Sequence, residues 1–414
     1  NLSPEAISAM GSIDFINSII TGIGLALGIG GLLVVARYYN RGDYETTGRA
    51  AGIALLISCA VSLLVCLPYF FFRRNLINLF FGAATEQVKT YMAEYAAFTA
   101  PDCVIFNIIA MGFAIQNAVR VTRPQGWLSI LQYGLTLLFS YIFIYGGGFK
   151  IGTVILQIPA MGVGGAGLGM LTSSLITWLI LQVMLLRERR YFDLTKLANY
   201  IPNRRLVRDI LSYGLPPVAE YTIFYISRLL TQSIVVMSGT INTAANAIGN
   251  SISVFYMFAA AAGQLTLISL GSQALGREDF RNINYYNRFI NLFNFSTHAL
   301  MSVIYLLFSN PILGLFTKDP AIIARTNEIL IVYVIVSPLI HNLTFNPSCL
   351  LQGLGDVRFV TVVSSIATGG VRLFFSWLFA VPFNLQLTGI WLAVYVDWVF
   401  RMIVFNLRFY RRKW

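Results

Sequence analysis

The chain has 414 residues, 57% of them hydrophobic and only 11% charged, with a mean hydropathy of +0.70. Soluble domains carry roughly a quarter charged residues, so this composition excludes an ordinary soluble protein and belongs in a bilayer. The net charge of +12 suits the cationic cytoplasmic loops of a membrane protein, and nucleic-acid binding is not expected.

Hydropathy predicts helices over 10–36, 50–72, 88–118, 125–146 and 162–186, then over 210–237, 245–274, 288–309, 324–351, 359–382 and 387–407. Each of these eleven segments can cross about 30 Å of hydrocarbon. The first carries Asp14 near one end, where a rim charge in reach of water is expected, and the stretch GIGLALGIGG (22–31). That stretch has no preceding strand and lacks the G-x-G-x-x-G order of a nucleotide loop, so its small residues read as close helix packing. GVGGAGLG (162–169) reads the same way.

An ionised side chain at mid-bilayer costs several kcal/mol, so each one needs a reason. Asp102 follows Pro101 in mid-span, with Phe98, Thr99, Ile105 and Phe106 around it and no partner on its own helix. In the sixth segment, Glu220 lies about 16 Å along the axis from Asp209, among Pro216, Pro217, Ile223 and Phe224. It must find a partner on another helix, take a proton or meet a cation. The two prolines, which withhold backbone donors, free carbonyls just before it. The plainer reading is a carboxylate hydrogen-bonded to Ser or Tyr of a neighbouring helix. Arg228, eight residues on, is placed to snorkel toward an interface. It and Arg372 are also candidates to face an anionic substrate. His341 lies mid-span in SPLIHNLTFNP, where hydrogen-bonded structure competes with a titrating switch. Asp397 and Arg401 stand at i, i+4 in the last segment, and are expected to form a structural intramembrane pair.

The connection 187–209 is the longest polar stretch and divides an N-terminal lobe, 1–195, from a C-terminal lobe, 196–414. Lys and Arg of alternating loops fall twenty on one side and six on the other, which places 187–209 and the C-terminus in the cytoplasm. NRGDYETTG at 40 repeats as GREDFRNIN at 276, and the same offset of 236 aligns Gln116 with Gln352. Both pairs lie on cytoplasmic loops, so the lobes repeat in parallel. The helix 210–237 then maps onto positions before residue 1, so the intact protein is expected to have six helices per lobe and a first helix missing here. The fold expected is thus an all-α polytopic membrane protein of two pseudo-symmetric helical lobes.

Cys59, Cys66, Cys103 and Cys349 lie unpaired in apolar runs and read as small hydrophobes. With only His298 and His341 available, no metal site is expected. No HExxH or nucleophile–base set appears, so no enzyme activity is expected.

These residues resemble the MATE (multidrug and toxic compound extrusion) family over nearly the whole chain. The matching pieces are AISAMGSIDF…GIGGLLVVARYYNRGDYE, YGLPPVAE, AANAIGNSIS…GSQALGRED, LLQGLGDVRF and GIWLAVYVDWVFRMIVFNLRFYRRKW. The resemblance implies two six-helix lobes facing each other across a V-shaped cleft. It implies a monomeric antiporter of the cell membrane that exports drugs, organic cations or metabolites, flavins among them, by alternating access. Entry of H⁺ or Na⁺ would drive export, with no cofactor beyond that ion. Glu220 lies on the family's second-lobe acidic helix, about one turn before the acid of several relatives. Glu220, Asp102 and His341 are the candidate substrate or coupling-ion residues. The competing reading is a lipid-linked oligosaccharide flippase of the same MOP superfamily.

Overall fold

The computed structural model describes residues 4–81, 85–151, 154–188, 192–278 and 281–411. Their helices, in chain order, begin with α1 (Pro4–Asn40), α2 (Tyr44–Phe71), α3 (Arg73–Phe80), α4 (Glu86–Ala118) and α5 (Arg123–Tyr145). A short antiparallel hairpin follows, β1 (Gly147–Ile151) with β2 (Val154–Ile158), which hydropathy did not suggest. Next come α6 (Gly162–Arg187), α7 (Arg204–Met237), α8 (Thr240–Arg277), α9 (Ile283–Gly314) and α10 (Pro320–Gly353). The chain closes with α11 (Val357–Ile366), a π turn over Ala367–Arg372, α12 (Leu373–Ala380) and α13 (Gln386–Tyr410).

Among the described residues nine helices are long and apolar enough to cross a membrane, counting α11 through α12 as the single span Val357–Ala380. A tenth is α8, whose halves Ile241–Phe258 and Ala260–Arg277 meet at 46°. The remaining expected span, α7, is one 34-residue helix that runs through Pro216 and Pro217, but its charges and prolines make it less apolar.

Helix ends are set by local chemistry. Asp43 caps α2 by accepting the Thr46 N–H at 3.0 Å, and Asp319 caps α10 by accepting the Ala321 N–H at 2.9 Å, with Pro320 in the first turn. α4 and α10 end alike. The Val121 N–H reaches back to the Gln116 carbonyl at 2.9 Å, and the Asp356 N–H to the Leu351 carbonyl at 3.0 Å, around the left-handed residues Arg120 and Gly355.

The chain forms two compact units, Asn1–Val218 and Ala219–Trp414. In the first, α4 packs against α1, α2 and α6, while α5 lies outside against α6. Trp127, Tyr133 and Leu137 of α5 are 75%, 71% and 76% exposed, a surface suited to lipid. In the second, α10 packs against α8, α9 and α13, around Tyr256, Tyr333, Trp391 and Trp398.

The repeat extends to the way each unit closes. In the first, Asn107 of α4 donates to the Ile20 carbonyl of α1 at 3.4 Å, and its backbone carbonyl accepts from Ser58 of α2 at 3.0 Å. Gly24 faces that amide, where a Cβ would overlap it. In the second, Asn294 of α9 donates to the Ala260 carbonyl of α8 at 3.4 Å and to Asn346 of α10 at 3.1 Å, opposite Gly263. Ser58 and Asn294 are themselves 236 residues apart. One glycine per unit thus admits an amide where three helices meet, a tight approach that a side chain at either would block. The stripes 22–31 and 162–169 serve the same end. Gly30 lies under the Ile210 carbonyl of α7, and Gly165 under the Phe143 carbonyl of α5.

Candidate functional site

Charged and polar groups gather in mid-span in each unit. In the first unit, Asp102 is only 6% exposed beside Pro101 on α4. Ser174 of α6 hydrogen-bonds its carboxyl group, yet Oδ1 has no partner among the described residues. One helix turn pair away, Tyr95 of α4 donates to the Asp14 carboxylate at 3.0 Å. Asn17 links this pair inward: its amide lies 3.5 Å from Asp14, and its carbonyl accepts from Tyr69 at 3.2 Å and from the Cys103 thiol at 3.7 Å. Asp14 keeps exposed surface, as a rim charge would, but it anchors a network joining α1, α2 and α4. The sequence signal for that role was Asn17 at i+3 on the same helix face; the tyrosines come from other helices and could not be read.

In the second unit, Glu220 of α7 is half-buried with Ser364 of α11 hydrogen-bonded to it, Arg401 of α13 in Coulombic reach, and Cys349 of α10 nearby. Its partner is therefore on another helix, one of the three outcomes expected of it. Asp397 and Arg401 are paired as their spacing predicts. Arg401 Nε donates to Oδ1 at 2.8 Å and Nη2 to Oδ2 at 3.2 Å, with both residues buried. Nη2 also donates to the Thr368 hydroxyl on the π turn, and the guanidinium lies 5.7 Å from the Phe345 ring centre. Arg372, at the end of that turn, is in Coulombic reach of Asp397, Arg401 and Arg228. α7 reaches the turn directly: a Cβ at Gly369 would stand 3.1 Å from Ile223 and 3.8 Å from the Ser227 hydroxyl.

His341 lies away from Glu220, inside the aromatic core. Its ring centre is 4.5 Å from Phe345, 5.1 Å from Trp398 and 5.3 Å from His298. His298 is fully buried 4.8 Å from the Tyr256 ring, with neither ring nitrogen hydrogen-bonded among the described residues. Phe345 touches both His341 and Arg401, so the histidine meets the charged cluster only through a ring. All four cysteines are free, and no group of three or more His, Cys, Asp or Glu is arranged to hold a metal among the described residues.

Long apolar helices in two units, with unlike charged clusters held within the spans, define a multi-pass membrane protein. The MatE family profile matches residues 1–142 and 216–378. The uncharacterized transporter YisQ of Bacillus subtilis (strain 168) is 22% identical over all of this chain and 88% of its own. The probable multidrug resistance protein NorM of Thermotoga maritima is 24% identical over 99% of this chain and 86% of its own. By fold, the chain is similar to an outward-facing multidrug resistance MATE family transporter of the MOP superfamily, with a TM-score of 0.86 at 20% identity, over 99% of this chain and 88% of that one. The chain belongs to the MATE family.

Proposed function

We propose that this protein is a secondary antiporter of the cell membrane, working as a monomer without enzyme activity or cofactor. It exports drugs, organic cations or metabolites, flavins among them, by alternating access, in exchange for H⁺ or Na⁺. The connection 187–209 and the C-terminus face the cytoplasm. The observation that carries the coupling is Asp102, a buried mid-span carboxylate with a bare oxygen beside a proline. Such a group is costly unless it takes up a proton or a cation, and exchanging that cation between two faces of the membrane couples a gradient to a conformational change. Glu220 is the second-unit candidate, a half-buried acid whose neighbours Ser364 and Arg401 lie on other helices. His341, enclosed by aromatic rings, is assigned to packing that supports Arg401 through Phe345.

The flippase reading keeps one point in its favour, the gathering of Arg228, Arg372 and Arg401 in the second unit. The test is efflux from proteoliposomes loaded with ethidium or carboxyfluorescein under separate H⁺ and Na⁺ gradients. Wild-type efflux should follow one gradient, Asp102→Asn should uncouple it by tenfold or more, and Glu220→Gln should weaken it. Efflux indifferent to both gradients, or unchanged in Asp102→Asn, would overturn the coupling assignment.

A further inference from the structure

Five ionisable groups meet around the π turn: Glu220 and Arg228 of α7, Arg372 of the turn itself, and Asp397 and Arg401 of α13. Three guanidinium groups thus face two carboxylates. Lys or His could shed its charge in such a setting, but a guanidinium stays protonated and must find a partner.

Arg401 is satisfied. Both oxygens of Asp397 and the Thr368 hydroxyl take three of its five N–H donors, and Asp397 and the face of Phe345 meet its charge. Asp397 is held in this bidentate contact and makes no hydrogen bond or ion pair with Arg372 among the described residues. Glu220 is taken up by Ser364 and by the field of Arg401. Neither Arg228 nor Arg372 has a hydrogen bond or an ion pair among the described residues, and the pair sit close enough to repel each other. Arg372 is half-buried and Arg228, further along α7 toward an interface, is exposed, so both residues keep accessible surface. Arginines with accessible surface inside a span face a water-filled space or the interface rather than lipid chains.

The geometry points to a binding subsite in which Arg228 and Arg372 take an oxyanion, the carboxylate or phosphate of an exported organic molecule whose apolar body lies among the surrounding rings. This rests on the export reading above and gives the substrate a charge. The planar fork of each guanidinium suits bidentate binding of that group, and the substrate supplies the negative charge that Asp397 cannot. Two features of the chain hold the subsite in place. The π turn carries both Thr368 and Arg372, and Gly369 lets α7 come near at Ser227, next to Arg228. An organic cation would meet a net positive charge here and would have to bind elsewhere.

The test is direct binding in phosphatidylcholine nanodiscs, with carboxyfluorescein as the planar anion and ethidium as the planar cation, both followed by fluorescence polarisation. Carboxyfluorescein should bind to the wild type. Arg372→Gln and Arg228→Gln should each weaken it tenfold or more with ethidium unaffected, and Arg372→Lys should recover part of the loss. If Arg372→Gln does not fold, Arg228→Gln at its exposed position carries the test. Binding of ethidium alone to the wild type, or equal anion binding in both glutamine variants, would overturn the subsite. Displacement of the dye by phosphatidylglycerol mixed into the discs would assign the arginines to a lipid headgroup and also overturn it. Arginine-dependent binding without gradient-driven efflux would leave the subsite standing and remove the antiport reading. Gradient-driven efflux of ethidium without anion binding would do the reverse.

Discussion

Asp397 and Arg401 show what a charge pair does when it is taken fully out of water. Their mutual bidentate contact, closed by Thr368, offsets the desolvation of both, but only while both are present. Asp397→Asn should therefore destabilise the protein by about 3–5 kcal/mol, because it strands a buried guanidinium. A double variant, Asp397→Leu with Arg401→Met, should recover most of that loss in a thermal-unfolding series in detergent. Recovery by less than half would mean that the pair contributes more than its own charge balance. The pairing was legible in the sequence because both partners lie on one helix at i, i+4. The surroundings of Asp102 and Glu220 were legible only as a need: the sequence marked each acid as unpartnered on its own helix, while Ser174, Ser364 and Arg401 come from helices that no spacing rule connects. Asp14 was read too simply for the same reason, since Tyr95 and Tyr69 reach its network from α4 and α2.

At the level of whole helices, ends were easier to foresee than interruptions. Asp43 stands just before an apolar run, and it holds the first turn of α2 through Thr46. Hydrogen bonds from the Thr46 side chain and backbone N–H hold its carboxyl group below the ordinary aspartate value of 3.8. A carboxylate with a lowered folded-state value stabilises fully above the unfolded value, and the contribution fades as pH falls through the folded one. Asp43→Ala should cost about 1 kcal/mol, read as a roughly fivefold rise in hydrogen exchange over 44–47 at neutral pH, and the difference should vanish in strong acid. An equal difference at both pH values would point to something other than the cap. The bend in α8 and the π turn at 367–372 left no such mark. Neither contains a proline, and small residues at 369 and 370 permit a π turn without requiring one. The β1–β2 hairpin was likewise hidden in a connection that hydropathy treats as a gap.

For the molecule as a whole, composition and charge bias carried most of the reading, because a bilayer leaves few architectures open to a chain this apolar. The parallel repeat was visible in two loop motifs, and the structure extends it to the amide-and-glycine junctions and to the matching ends of α4 and α10. Orientation rests on twenty basic residues against six. In a background with Cys59, Cys66, Cys103 and Cys349 replaced, a cysteine at Lys196 should resist a membrane-impermeant maleimide on intact cells, and one at Lys318 should react. The opposite pattern would invert the topology. The π turn, finally, limits how this chain can drift over generations. Removing one residue between 367 and 372 would let the turn close as ordinary helix with the two halves of the 357–380 span still in phase, whereas adding one would rotate one half against the other by about 100°. A chain with the insertion would keep a span long enough to cross the bilayer, yet Arg372 would leave its present face. Length at this one position therefore matters separately from composition, and it matters in one direction: the turn can lose a residue without turning its flanks, but cannot gain one.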